Sequence, residues 1–232
     1  MVMRRVYQCL LFDLDRTLWD AERNTFETLA WLLDKYHLSE KIQAKDFYLI
    51  FDKNNDAVWE EYIAGTTTKE ELRLKRFVKT LSYFGVDDVS LASAFSSDFT
   101  VFCPSMPHVL EGVHETLEYL RSRYVLCILT NGFADVQKRK LESSKLDQYF
   151  MKIFASDQTG YTKPDARMFH YAVTSLRVKK DVVLMIGDDE KVDIEGAYRY
   201  GIDQVYLDVR NIPPPVTPTY HIHNISQLKD FL

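Results

Sequence analysis

Nowhere in the 232 residues does an uncharged apolar run approach the ~20 residues that cross a bilayer, so no membrane-spanning helix is expected. The opening stretch "MVMRRVYQCLLFDLD" has two arginines but no small-residue cleavage site before Asp13 interrupts it, and no signal peptide is read there. Cysteine is scarce: Cys9, Cys103 and Cys127 are odd in number, far apart and set among apolar neighbours. That pattern argues against disulfides and zinc ligands and for buried free thiols in a reducing compartment, which makes the cytoplasm the expected location. Positive charge is also in short supply. With 29 Lys and Arg against 34 Asp and Glu the formal charge is −5, which disfavours a broad grip on a nucleic acid polymer or an anionic membrane. Any phosphate must therefore be met locally. Proline-rich sequence is confined to "NIPPPVTP" (211–218), a rigid surface connection, and no internal repeat is found. What remains, 46% hydrophobic and 27% charged, is an ordinary globular composition, long enough for a core domain with a smaller insertion.

Four short apolar runs, "VYQCLLF" (6–12), "VLCILT" (125–130), "KIFAS" (152–156) and "VVLMIG" (182–187), suit strands buried on both faces, with "QVYLDV" (204–209) a fifth. Helical patterns lie between them, as in "VLEGVHETLEYLRSR" (109–123) and "ARMFHYAVTSL" (166–176). The alternation predicts an α/β fold with a doubly wound parallel sheet. Residues 20–102 break the rhythm, with helical patterns and no buried-strand run, so an all-helical domain is expected there, inserted into a core of 1–19 and 103–232. It leaves the core at the carboxyl end of the first strand, the edge where such sheets bind ligands, and is expected to act as a lid.

Four stretches at such strand ends carry chemistry. "LLFDLDRTLWD" (10–20) closes the first strand with Asp13 and Asp15, two like charges that need a cation or water to hold them together. It fails the calcium-loop pattern, because Thr17, Leu18 and Asn24 occupy its fifth, sixth and twelfth positions. "LTNGF" (129–133) offers the Thr130 hydroxyl, the Asn131 amide and the backbone N–H groups of a helix start as an anion cradle. In "GYTKPDARMF" (160–169), Lys163 precedes a proline expected in a first helical turn, leaving the lysine free to swing inward. "VVLMIGDDEKVD" (182–193) adds Asp188, Asp189 and Asp193, carboxylates suited to a hard cation such as Mg²⁺. All converge on one sheet edge.

In this order the residues resemble the four motifs of the haloacid dehalogenase superfamily, over essentially the whole chain, and the inserted helices resemble its helical cap. The stretches "LTNGF", "YTKPDARMF" and "GDDEKVDIEGA" look most like its pyrimidine 5′-nucleotidase branch. The resemblance implies a Rossmann-like core and a Mg²⁺-dependent phosphomonoester hydrolase. Asp13 would be the nucleophile, Asp15 the general acid and base, and Asp13, the Asp15 carbonyl and Asp188 the metal ligands. Thr130, the Asn131 N–H and Lys163 would bind phosphate, Thr17 would orient the first acid, and Asp189 and Asp193 would give further support, Asp193 through Lys163. The implied partner is a small phosphorylated metabolite, a nucleoside monophosphate first, for a monomer or weak homodimer. Arg16 and Asp189 stand where the family often has glycine and serine or threonine.

A phosphatase or phosphomutase of small sugar phosphates would share every core residue. A receiver-like phosphoaspartate switch is disfavoured by length and by the insertion, and a haloalkanoate dehalogenase by Asp15 and the acidic cluster. In "TKEELRLKRF" (68–77), Arg73 and Arg76 share a helix face predicted to project outward and to contribute to substrate choice. His221 and His223, with no acidic or thiol partner nearby in sequence, read as one face of an edge strand rather than a metal site.

Overall fold

The computed structural model describes residues 6–232; residues 1–5, with two arginines of the opening stretch, lie outside the described residues. The apolar runs form parallel strands: β1 (Cys9–Phe12), β2 (Val125–Thr130), β3 (Lys152–Ala155), β4 (Val183–Gly187), β5 (Asp203–Leu207) and β6 (Tyr220–Ile222). Their order across the sheet is β3-β2-β1-β4-β5-β6, with every adjacent pair parallel. Every residue of β1 and β4 is buried, as the continuous hydrophobicity of those runs requires of a sheet covered on both faces.

The chain forms two compact units, residues 21–106 and the remainder. The first contains α1 (Ala21–Lys35), α2 (Ala44–Ile63), α3 (Lys69–Tyr83) and α4 (Val89–Phe102). The second adds α5 (Val113–Arg121), α6 (Ala134–Ser143), α7 (Ser156–Thr159), α8 (Ala166–Leu176) and α9 (Gly196–Tyr200) to the sheet. In the helical unit α3 starts at a capping box: Thr68 accepts from the Glu71 N–H while the Glu71 carboxylate accepts from the Thr68 N–H. Its interior is aromatic, with Phe51, Phe77 and Phe99 in mutual ring contact. In the α/β unit the alternating residues Cys9, Leu11, Cys127, Leu129, Val183 and Met185 of the sheet pack with Met168, Phe169, Ala172 and Val173 of α8. The three cysteines are free and buried. No described helix is long and apolar enough to cross a membrane.

Candidate active site

The chain adds β2 and β3 on one side of β1 and β4, β5 and β6 on the other, so the strand order switches between β1 and β4 and the carboxyl ends of those two strands border a crevice. The residues that leave those ends are Asp13 and Asp188. Pairing runs one step past β1, since the Asp13 N–H donates to the Ile186 carbonyl at 2.9 Å, and this fixes where the Asp13 side chain begins. Lys163, only 1% exposed, lies before α8 and donates through Nζ to Asp13 Oδ1 at 2.7 Å and to Asp193 Oδ1 at 2.6 Å. Asp193 comes from a π-helical turn, Glu190–Glu195, whose cap is Asp189 accepting from the N–H groups of Lys191 and Val192. The Thr17 hydroxyl donates to Asp188 Oδ1 at 3.1 Å.

Ligand-capable oxygens of Asp13, Asp188 and Asp193 lie within 4.8 Å of one another. Loss of water pushes Asp13 and Asp188 up to about 7, against the pull of Lys163 on the first and of Arg210 on the second. The same loss raises Asp193 to about 6 despite Lys163. The Lys163 ammonium loses hydration too, yet Asp13 and Asp193 outweigh that and raise its pKa, so it stays charged. Besides Lys163, the Arg210 guanidinium reaches the cluster, with Nη2 3.5 Å from Asp188 Oδ2, and the charge of Arg16 also favours the Asp188 carboxylate. The raised proton affinity of all three carboxyls shows that these cations do not make up for the lost water, and an all-oxygen donor set of that kind fits a hard divalent cation.

Asp15 lives in a different environment. Its carboxylate accepts from Gln137 Nε2 at 2.9 Å and Lys140 Nζ at 2.6 Å, both on one face of α6. Burial alone would raise Asp15, but the Lys140 ammonium, helped by Gln137, holds it below the usual carboxylate range. Gln137 also donates to the Thr130 hydroxyl at 2.7 Å, so one buried amide joins the strand end of β2 to the second acid. Gly132 makes room for it: a Cβ there would stand 2.4 Å from Gln137 Nε2.

Several expectations need correction. The Asn131 side chain is not part of an anion cradle: its Nδ2 donates to the Lys163 carbonyl and its Oδ1 accepts from the Lys163 N–H. Pro164 lies outside α8 rather than in its first turn, because Asp165 is the cap, accepting from the Arg167 N–H. Thr17 reaches Asp188 and not the first acid, Asp13. Arg76 does not project outward; it is buried in the helical unit over the rings of Phe99, Phe77 and Phe51 and donates to Asn55 Oδ1 at 3.0 Å. Arg73 is half-buried, and its carbonyl accepts from the Ser96 hydroxyl. Gln137, Lys140 and Arg210 escaped the sequence reading. The signal for the first two was their three-residue spacing on the helix after "LTNGF"; Arg210, in an irregular segment, gave none.

The haloacid dehalogenase-like hydrolase family model matches residues 10–207. The pyrimidine 5′-nucleotidase PynA of Streptococcus pneumoniae is 30% identical over 97% of this chain and 95% of its own. The pyrimidine 5′-nucleotidase YjjG of Escherichia coli is 28% identical over 96% of each. The magnesium-bound crystal structure of YfnB from Bacillus subtilis superposes with a TM-score of 0.89 at 25% identity, covering 98% of this chain and 99% of that one.

Proposed function

The chain belongs to the haloacid dehalogenase-like hydrolases, and from that membership we propose that it is a Mg²⁺-dependent phosphomonoester hydrolase acting through an aspartyl-phosphate. The observation that carries the reading is the contrast between its first two carboxylates. Asp13 is in contact with Lys163 inside the buried acidic cluster, whereas Asp15 is held apart from it by Gln137 and Lys140. In this reading the first bonds to phosphorus, with Lys163 and the cation keeping it ionised, and the second moves a proton.

Asp13 attacks phosphorus as the bond to the leaving oxygen breaks, dividing one hard displacement into two. Asp15, which the Lys140 ammonium holds as a carboxylate in the free site, has to take up a proton as substrate binds; it then gives that proton to the leaving alkoxide and later takes one from the water that attacks the aspartyl-phosphate. Thr130, the Asn131 N–H and Lys163 bind the equatorial oxygens, where charge develops. Asp193 keeps the Lys163 ammonium in place, Asp189 caps the turn that carries Asp193, and Thr17 orients Asp188. Mg²⁺, when held by the Asp13 and Asp188 carboxylates and the Asp15 carbonyl, supplies the charge that shields the phosphate dianion from these acids.

Nucleoside 5′-monophosphates are the proposed substrates, a choice supported by PynA and YjjG, both named for pyrimidine nucleotides and similar along nearly the whole chain. The test is hydrolysis of a panel of nucleoside monophosphates, sugar phosphates and an aryl phosphate with Mg²⁺ and with excess EDTA. EDTA should abolish turnover, Asp13→Asn should be inactive on every substrate, and Asp15→Asn should lose far more activity on alkyl than on aryl phosphates. Unchanged turnover in chelator refutes the metal role. Activity retained by Asp13→Asn refutes the covalent route, and a preference for sugar phosphates moves the substrate assignment alone.

A further inference from the structure

His221 and His223 alternate across the end of β6, the edge strand, and so share one side of the sheet. Their missing acidic partner comes from the neighbouring strand. Asp208 follows β5, one step past the Leu207–Ile222 register pair, and its N–H donates to the Ile222 carbonyl at 2.8 Å, which sets it beside His223 and on the histidines' side of the sheet. One ligand-capable atom from each of the three residues lies within 4.8 Å of the others.

The contacts already hold these groups in a converging arrangement. His221 Nε2 is 3.2 Å from Asp208 Oδ2, and the Ile212 N–H anchors the other oxygen, Oδ1, at 3.2 Å. His223 Nδ1 is 3.1 Å from the Asp208 carbonyl, and the His223 N–H donates to Gln227 Oε1 at 2.7 Å. A ring N–H given to a backbone carbonyl is a usual way to fix a histidine tautomer and leave the other nitrogen as a lone pair. Burial would raise the Asp208 carboxyl, but His221 and the N–H groups of Ile212 and Asn211 outweigh it and keep the group charged.

We propose that Asp208, His221 and His223 form a binding site for a late first-row divalent cation of the Zn²⁺ class. Two imidazoles and one carboxylate are the donor set that prefers such ions, in contrast to the all-carboxylate cluster at the strand ends of β1 and β4. Ligands about 2.0–2.1 Å from a tetrahedral ion are about 3.3–3.4 Å apart, close to the observed separation of His221 Nε2 and Asp208 Oδ2. A bound ion would tie the edge strand to the segment that leads on to Arg210, whose guanidinium faces Asp188 and Glu190. The site does not depend on the phosphatase reading.

The experiment titrates untagged full-length protein with Zn²⁺ against a chromophoric chelator, and with Co²⁺ followed by its visible absorption, both in saturating Mg²⁺. The wild type should bind one equivalent. His221→Gln and His223→Gln, at exposed positions and checked for folding by circular dichroism, should each weaken binding about tenfold or more. Asp188→Asn should keep the equivalent, because the acidic cluster is elsewhere. Failure of the wild type to compete for Zn²⁺, binding as tight as the wild type's in both histidine variants, or loss of the equivalent in Asp188→Asn would each overturn the assignment.

Discussion

The carboxamide of Asn131 grips both backbone polar groups of Lys163, donating to its carbonyl at 2.9 Å and accepting from its N–H at 2.7 Å. The loop after β2 thereby sets the height of the ammonium that joins Asp13 to Asp193. Asn131→Ala leaves a donor and an acceptor without these partners, at a cost of about 1–3 kcal/mol for each such group if water cannot replace them. Displacement of Lys163 by even 1 Å would lower kcat/KM by about 10²-fold, on aryl and alkyl phosphates alike. Asn131→Asp keeps the acceptor and loses the donor, and should fall between the two. Steady-state kinetics decide, and a defect confined to the KM of nucleotides would mean that Asn131 serves the substrate rather than Lys163.

Lys140 sets the proton affinity of the second acid. In the proposed mechanism protonated Asp15 serves the leaving group, so kcat/KM on an alkyl phosphate should decline as pH rises through its pKa. Lys140 holds that pKa low against burial. Lys140→Met removes the cation that favours the carboxylate, so the pKa rises and the alkaline limb of the profile moves to higher pH. An aryl phosphate, whose leaving group needs little protonation, should show no such movement. An alkaline limb unmoved on alkyl phosphates would detach Lys140 from Asp15 during turnover.

The strand ends were legible in the sequence because they combine two strong signals, a short apolar run and an abrupt carboxylate, and the parallel sheet then brings them to one edge. Asp13, Asp188 and Asp193 meet for that reason. Partners contributed by helix faces were harder to see: the three-residue spacing of Gln137 and Lys140 puts them on one face, but only the packing of α6 shows that this face meets Asp15. Asp208 meets His221 and His223 only through the pairing of β5 with β6, a relation that local spacing does not carry. Arg76 shows the opposite failure. Helical spacing grouped it with Arg73, but three phenylalanine rings from three helices give its guanidinium a place inside.

That burial changes what an Arg76 variant should do. Arg76→Ala empties a volume bounded by Phe51, Phe77 and Phe99 and should destabilise the protein by about 2–5 kcal/mol. Arg76→Met fills the space without a buried charge and should stay within about 1–2 kcal/mol of the wild type. Urea denaturation measures both. At a temperature where each variant is folded, the KM for nucleoside monophosphates should not change. A raised KM with unaltered stability would mean that the guanidinium leaves its aromatic surroundings to meet the substrate.

Gly187 ends β4 where the Asp193 carboxylate passes so close that a Cβ would stand 2.2 Å from Oδ2 and 2.4 Å from Cγ. Asp193 cannot yield freely, because Oδ1 holds the Lys163 ammonium at 2.6 Å and Oδ2 accepts from the Asp189 N–H at 3.2 Å. Gly187→Ala must therefore break one of those contacts or shift the strand end that leads to Asp188. If displacement of Asp193 is the main effect, Gly187→Ala and Asp193→Ala damage the same element, and their losses in kcat/KM should not add. The double variant should be no worse than the worse single variant, with Asp13→Asn as the inactive reference. Additive losses would place the Gly187 effect elsewhere, in the backbone of β4 and the position of Asp188, and the double-mutant cycle read by kcat/KM on an aryl phosphate separates the two.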